Sequence, residues 1–138
     1  SQIIIQLTLI STGLLSISPD GKITTLLTSV EGKPLRFLND LTIADDGTIY
    51  LTDSSIYQRR DYLLDVSGSF KALYFVLIAI KQKKLLEGRG WGRLIAYYPS
   101  SGNAKVLLKD LYFPNGITVH SDNKSLLFAE LTKYRVNR

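Results

Sequence analysis

A four-strand unit that occurs twice is the feature that most limits what this chain can fold into. Phe37-Leu38-Asn39-Asp40-Leu41-Thr42-Ile43 lines up with Phe113-Pro114-Asn115-Gly116-Ile117-Thr118-Val119. Phe, Asn and Thr coincide, and the apolar positions match in kind. Each copy continues with an Asp-containing turn, an apolar strand and an acid, Asp53 in one and Glu130 in the other. Upstream, Gly13-Leu14-Leu15, a Pro/Gly turn and Thr25-Leu26-Leu27 parallel Gly92-Arg93-Leu94, a Pro/Gly turn and Val106-Leu107-Leu108. The copies cover roughly 13–55 and 92–131.

Short apolar and β-branched runs predict strands at Leu14–Ile17, Ile23–Leu27, Leu41–Ile43, Ile49–Leu51, Leu94–Tyr97, Ala104–Leu108, Ile117–Val119 and Leu126–Ala129. Pro19-Asp20-Gly21, Asp45-Asp46-Gly47, Ser100-Ser101-Gly102 and Ser121-Asp122-Asn123 supply turns between them. A unit of about 40 residues with four strands is the signature of a β-propeller blade. A β-sandwich also shows many short strands at regular spacing; the repeat favours the propeller. Two units cannot close a ring, and stacked repeats need neighbours to cover their end faces. The expectation is an all-β chain that is part of a propeller.

The net charge of +5 is local. Lys71, Lys81, Lys83 and Lys84 lie in the acid-free stretch Ser67–Lys84, and without that stretch the charge falls to +1. No groove-reading motif accompanies it, so a nucleic-acid partner is not expected. With no cysteine, no thiolate can attack a substrate or bind metal. The absence of methionine points to a chain that is processed or cut from something longer. Phe70–Ile80 is almost wholly apolar but too short for a membrane span of roughly 20 residues. It reads as an insertion in a loop between blades, translated non-coding sequence being one source. A membrane-surface segment and an extra buried strand or helix remain open. The expected organisation is therefore an uncertain segment 1–12, a blade unit 13–66, an insertion 67–84 and a truncated blade unit 85–138.

Asn39 and Asn115 occupy equivalent places, each expected just before a strand. Equivalent positions in propeller blades converge on the axis, where two amide oxygens could face one ion. Calcium takes 6–8 oxygen ligands, so two neutral amides would need carboxylates from other blades. Asparagine is equally at home in turns, bonded to its own backbone.

Leu35-Arg36-Phe37-Leu38-Asn39-Asp40-Leu41-Thr42 followed by Tyr50-Leu51-Thr52-Asp53-Ser54-Ser55 resembles the strictosidine synthase-like family. Gln58-Arg59-Arg60-Asp61-Tyr62-Leu63-Leu64-Asp65 is similar to its animal branch, the adipocyte plasma membrane-associated protein group. Leu86-Glu87-Gly88, Gly92-Arg93-Leu94, Phe113-Pro114-Asn115-Gly116 and Ala129-Glu130 continue in register, so the resemblance covers about 13–66 and 85–138. Leu7-Thr8-Leu9-Ile10 departs from the family pattern, which usually has an Asp-Ala-Tyr-like segment there.

The resemblance implies a six-bladed propeller, most of it outside this chain. By comparison with paraoxonase and gluconolactonase relatives, it implies that Asn39 and Asn115 ligate a central catalytic calcium and that Asp40 is associated with a second, structural one. Gly116 would let the backbone turn beside the metal. The implied chemistry is hydrolysis of a small ester or lactone, with calcium polarising the carbonyl while water attacks; this fragment is expected to be inactive alone. No general base stands out. His120, the single histidine, reads as a surface residue. Asp53 and Glu130 read as acids hydrogen-bonded to blade loops, and no serine sits in a nucleophile-elbow context. Amine–aldehyde condensation, which in the family uses a glutamate beyond this chain, and non-catalytic ligand binding are the alternatives. The resemblance also implies membrane-anchored or secretory-pathway placement, with any anchor upstream of Ser1. Asn123-Lys124-Ser125 is a glycosylation sequon in a predicted turn, which would suit that placement.

Overall fold

A computed structural model describes residues 2–7, 12–56 and 88–138. Three antiparallel sheets follow one another along the chain. The first joins β1 (Gln2–Leu7), β2 (Thr12–Ile17) and β3 (Ile23–Leu27) in that order. A two-residue hairpin, β4 (Ser29–Val30) and β5 (Lys33–Pro34), then leads to the second sheet. That sheet has four strands in chain order: β6 (Leu38–Ile43), β7 (Ile49–Asp53), β8 (Gly92–Tyr98) and β9 (Asn103–Leu111). The third holds β10 (Pro114–Val119), β11 (Leu126–Glu130) and, after one 3-10 turn at Leu131–Lys133, β12 (Arg135–Asn137). Sheets built as up-and-down meanders, each entered along the edge strand next to its neighbour, are successive propeller blades.

The strand pattern follows from what each strand must bury. On β8, Leu94 packs with Leu111, Ile117 and Phe128 towards the third sheet. Its successor Ile95 joins Leu14, Leu35, Leu38, Ile49, Leu51 and Val106 on the opposite side, towards the first. Alternate residues of a strand point to opposite faces, so a strand covered on both faces needs a continuous apolar run. Gly92-Arg93-Leu94-Ile95-Ala96-Tyr97 supplies one, interrupted only by Arg93.

The two sequence copies are offset from the sheets. The first copy runs through β2–β3 of one sheet and β6–β7 of the next; the second runs through β8–β9 and then β10–β11. Each copy is thus the outer pair of one blade followed by the inner pair of its neighbour. The stretch 67–84 lies outside the described residues. The strands flanking it, β7 and β8, are neighbours in one sheet, with Asp53 opposite Arg93. The connection that contains it therefore falls within a blade, not between blades as the repeat had suggested. β1, the β4–β5 hairpin and β12 carry no strong alternation in the sequence and were not expected as strands.

Gly92 is demanded by a close approach. A Cβ there would lie 2.1 Å from Cδ of Pro114 and 2.9 Å from the Leu111 carbonyl oxygen. This is where the third sheet begins against the second.

Candidate functional site

Both asparagines sit in β-bulges. On β6, Leu38 pairs with Asp53 and Asp40 with Thr52, leaving Asn39 as the extra residue. On β10, Pro114 pairs with Glu130 and Ile117 with Phe128, so Asn115 and Gly116 share the irregular step. A bulge bends its strand and re-aims a side chain. The asparagines therefore lie inside strands rather than just before them. Asn and Asp are depleted in strands, so propensity alone starts these elements at Leu41 and Ile117, whereas pairing carries them further.

The two acids explain how pairing reaches so far. Phe37 donates its backbone N–H to Asp53 Oδ1 at 2.8 Å, and Tyr112 donates its own to Glu130 Oε1 at 2.8 Å. The Phe37 carbonyl accepts from the Ser54 N–H at 2.8 Å, and the Phe113 carbonyl from the Leu131 N–H at 3.1 Å. Each acid thus ties the loop entering an inner strand to the end of the strand beside it. As expected from the sequence, both acids serve blade loops.

Each acid also faces an arginine across its sheet. Asp53 is opposite Arg93, and Glu130 is opposite Arg135. Arg93 donates through Nε at 3.2 Å and Nη2 to Asp53 Oδ2; Arg135 donates through Nε at 2.6 Å to Glu130 Oε2. Asn137 adds a 2.9 Å bond to the same Glu130 oxygen. This repeated ion pair was missed in the sequence. Its signal is an arginine at the second position of β8 and the first of β12.

The environments of the pairs differ. Burial pushes the Asp53 carboxyl above its usual range, against the opposing pull of Arg93 and the Phe37 amide. Burial acts the same way on Glu130, but the Tyr112 amide, Arg135 and Asn137 together hold it below the usual glutamate range. Phe37 and Phe113, equivalent in the two copies, meet edge to face with centroids 5.3 Å apart.

A second set of bonds crosses from the second sheet to the third. Ser54 Oγ donates to the Pro114 carbonyl, and Asn39 Nδ2 donates to Ser54 Oγ at 3.1 Å. Thr52 Oγ1 accepts from the Asp40 N–H at 3.1 Å and donates to the Asn115 carbonyl at 2.8 Å. Asp40 completes the seam: its Oδ1 accepts from the Leu41 N–H at 2.9 Å and its Oδ2 from the Ile117 N–H at 3.0 Å. Asn39, Asp40 and Asn115 are therefore brought together at one seam between inner strands.

The two asparagines fit part of a hard-cation site, and Asp40, whose two oxygens accept the Leu41 and Ile117 N–H bonds, fits part of a separate one. Their donors are oxygens, as such ions require, and no described residue donates to Asn39 Oδ1. Neither is whole, because among the described residues no three His, Cys, Asp or Glu side chains converge as metal ligands. Gly116 is not in the left-handed region. A Cβ on it would meet only Asp40 Oδ2, at 3.8 Å, so the sharp turn expected of it is made by the bulge instead.

His120 follows the far end of β10, away from Asn115, where its Nδ1 accepts from the Asp122 N–H at 3.3 Å. Asn123 is exposed in the β10–β11 turn, and its amide reaches Asp45 in the β6–β7 turn. A groove of about 350 Å³ opens beside the Asp53–Arg93 pair, with Ile56, Trp91 and Lys109 in its walls; neither Asn39 nor Asn115 lines it.

The comparisons with known proteins agree with this architecture. The strictosidine synthase family model matches residues 71–138. Strictosidine synthase-like protein 7 of Arabidopsis thaliana is 38% identical over 91% of this chain and 29% of its own length. Adipocyte plasma membrane-associated protein of Rattus norvegicus is 39% identical over 91% of this chain and 30% of its own length. Among solved structures, a gluconolactonase from Xanthomonas campestris superposes with a TM-score of 0.60 at 18% identity, covering 90% of this chain and 36% of that one. A second gluconolactonase-like structure gives 0.62 at 19% identity, with the same coverage.

The fold is part of an all-β propeller. The chain belongs to the strictosidine synthase-like family, which on its animal side includes adipocyte plasma membrane-associated protein. It spans about 30% of the length of the curated relatives it matches.

Proposed function

We propose that this chain supplies part of the calcium site of a propeller hydrolase that acts on a small ester or lactone. One observation carries the reading: Asn39 and Asn115 occupy matching bulges of adjacent inner strands and are bonded into one seam. Their amide oxygens suit calcium, which takes 6–8 oxygens, and the carboxylates it also needs would come from other blades of the complete protein. When bound, calcium would polarise the substrate carbonyl and stabilise the developing oxyanion. Asn39 and Asn115 would be two of the ligands that hold this central ion. Asp40 would serve a second, structural ion through the lone pairs that its two amide bonds leave. The chain by itself is expected to be inactive.

The name of one relative, adipocyte plasma membrane-associated protein, supports membrane-anchored or secretory-pathway placement, with Asn123 as an exposed glycosylation acceptor. Among the described residues, no helix is long and apolar enough to cross a membrane. The test is hydrolysis of aryl esters and lactones by the complete protein. A calcium chelator and Asn115→Ala should each reduce turnover at least ~100-fold, the scale seen when a positioned electrostatic contact to the transition state is removed. Turnover that survives both would overturn the hydrolase reading.

A further inference from the structure

We infer that Ser54 is a positioning residue whose hydroxyl dictates which end of the Asn39 amide is offered to a ligand, with Thr52 holding the Asn115 backbone in step. The inference deepens the proposed calcium site and rests on that reading for its purpose.

The polarity of the relay follows from hydrogen counting. A serine hydroxyl has one proton to give and lone pairs to accept with, and a carbonyl oxygen can only accept. Ser54 Oγ lies against the Pro114 carbonyl, so its proton must go there. Towards Asn39 the same oxygen can then only accept. Asn39 must present its NH2, as the 3.1 Å bond from Nδ2 shows, and its Oδ1 is left over. Ser54 is only 2% exposed, so water cannot readily replace either partner. Without the hydroxyl, the amide could sit either way round. An NH2 turned towards a cation repels it, whereas an amide oxygen ligates it.

Thr52 runs the same logic on the backbone. Its Oγ1 accepts from the Asp40 N–H and donates to the Asn115 carbonyl. It therefore pins the main chain of the second asparagine to the strand that carries the first.

The repeat shows that these hydroxyls are not a general requirement of the blade. Pairing places Ala129 and Leu131 of the second copy where Thr52 and Ser54 stand in the first. β11 carries neither hydroxyl, although it pairs with β10 in the register in which β7 pairs with β6. In the seam between β7 and β10, Ser54 and Thr52 are bonded to Asn39 and to the Asn115 carbonyl.

The test uses the complete protein, with calcium chloride as the only ligand. Ser54→Ala should weaken calcium binding by calorimetry about 10-fold or more, as loss of a partner that orients a metal ligand does. Ser54→Thr, which keeps a hydroxyl, should restore most of it. In metal-free protein, Ser54→Ala should speed hydrogen exchange of the Asn39 side-chain NH2 several-fold by NMR. Thr52→Val should leave that exchange unchanged, even where it lowers the melting temperature as much. An Asn39 amide whose exchange is indifferent to Ser54→Ala would overturn the inference, whatever happens to affinity. Complete protein that binds no calcium at all would overturn the site reading instead, and the Asn39 exchange would still decide the relay.

Discussion

Two ion pairs with the same strand register but different access to water allow a sharp comparison. Asp53→Ala takes the counter-charge from the Arg93 guanidinium, whose side chain is 12% exposed, whose Nη1 has no partner among the described residues and which keeps only its bond to the Pro34 carbonyl at 2.9 Å. It also leaves the Phe37 N–H without its acceptor. Removing one partner of a buried pair costs about 3–5 kcal/mol, because the remaining charge stays desolvated. Glu130→Ala deprives the Tyr112 N–H in the same way, but Arg135 is 54% exposed and can turn to water. The expected cost there is roughly 1–3 kcal/mol, that of an unsatisfied buried donor. Asp53→Ala should therefore exceed Glu130→Ala by about 2 kcal/mol in urea unfolding of the complete protein. Adding Arg93→Leu to Asp53→Ala should recover part of the loss, since the stranded charge goes with it. Equal costs for the two single variants, or a double variant no more stable than Asp53→Ala, would refute the reasoning.

Glu130 also sets an acid dependence. Its carboxyl is held below the ordinary value of 4.5 when folded. The stability it contributes is therefore fully present above that pH and is lost as pH falls through the lower folded value. The stability gap between wild type and Glu130→Gln should shrink below pH 4.5, which unfolding curves at several pH values will show. Gly92→Ala should destabilise by about 1–3 kcal/mol or more, because its Cβ would meet Pro114 at 2.1 Å; a neutral effect on the urea midpoint would mean that the third sheet is free to shift. If the protein enters the secretory pathway, Asn123→Gln should abolish one glycosidase-sensitive step in its electrophoretic mobility.

The pieces legible in the sequence were those that repeat. Copies of Phe-x-Asn, a turn and a terminal acid revealed the blade, because each inner strand pair repeats the same contacts. The pairing of strands into sheets was less visible. The copy boundary falls at Gly13 and Gly92, in mid-sheet, since a repeat has no preferred phase in sequence while a sheet has edges. Asn39 and Asn115 could be matched by alignment, but their bulges could not, because a bulge is a property of two strands and appears only when the partner register is known. The Asp53–Arg93 and Glu130–Arg135 pairs were hidden for the same reason. One pair is 40 residues apart in sequence and the other five, so no fixed spacing marks them. Ser54 and Thr52 passed as ordinary strand residues, for their partners are backbone carbonyls of another blade, which no side-chain motif records.

Calorimetric titration of the complete protein with calcium chloride, in wild type, Asn39→Ala, Asn115→Ala and the double variant, tests the shared-ion claim most directly. Two ligands of one ion act as a unit. Each single variant should weaken binding at least ~10-fold, and the double variant should lose less than the two single losses combined. Wild-type affinity in both single variants, or strictly additive losses, would contradict the claim that Asn39 and Asn115 hold the same calcium.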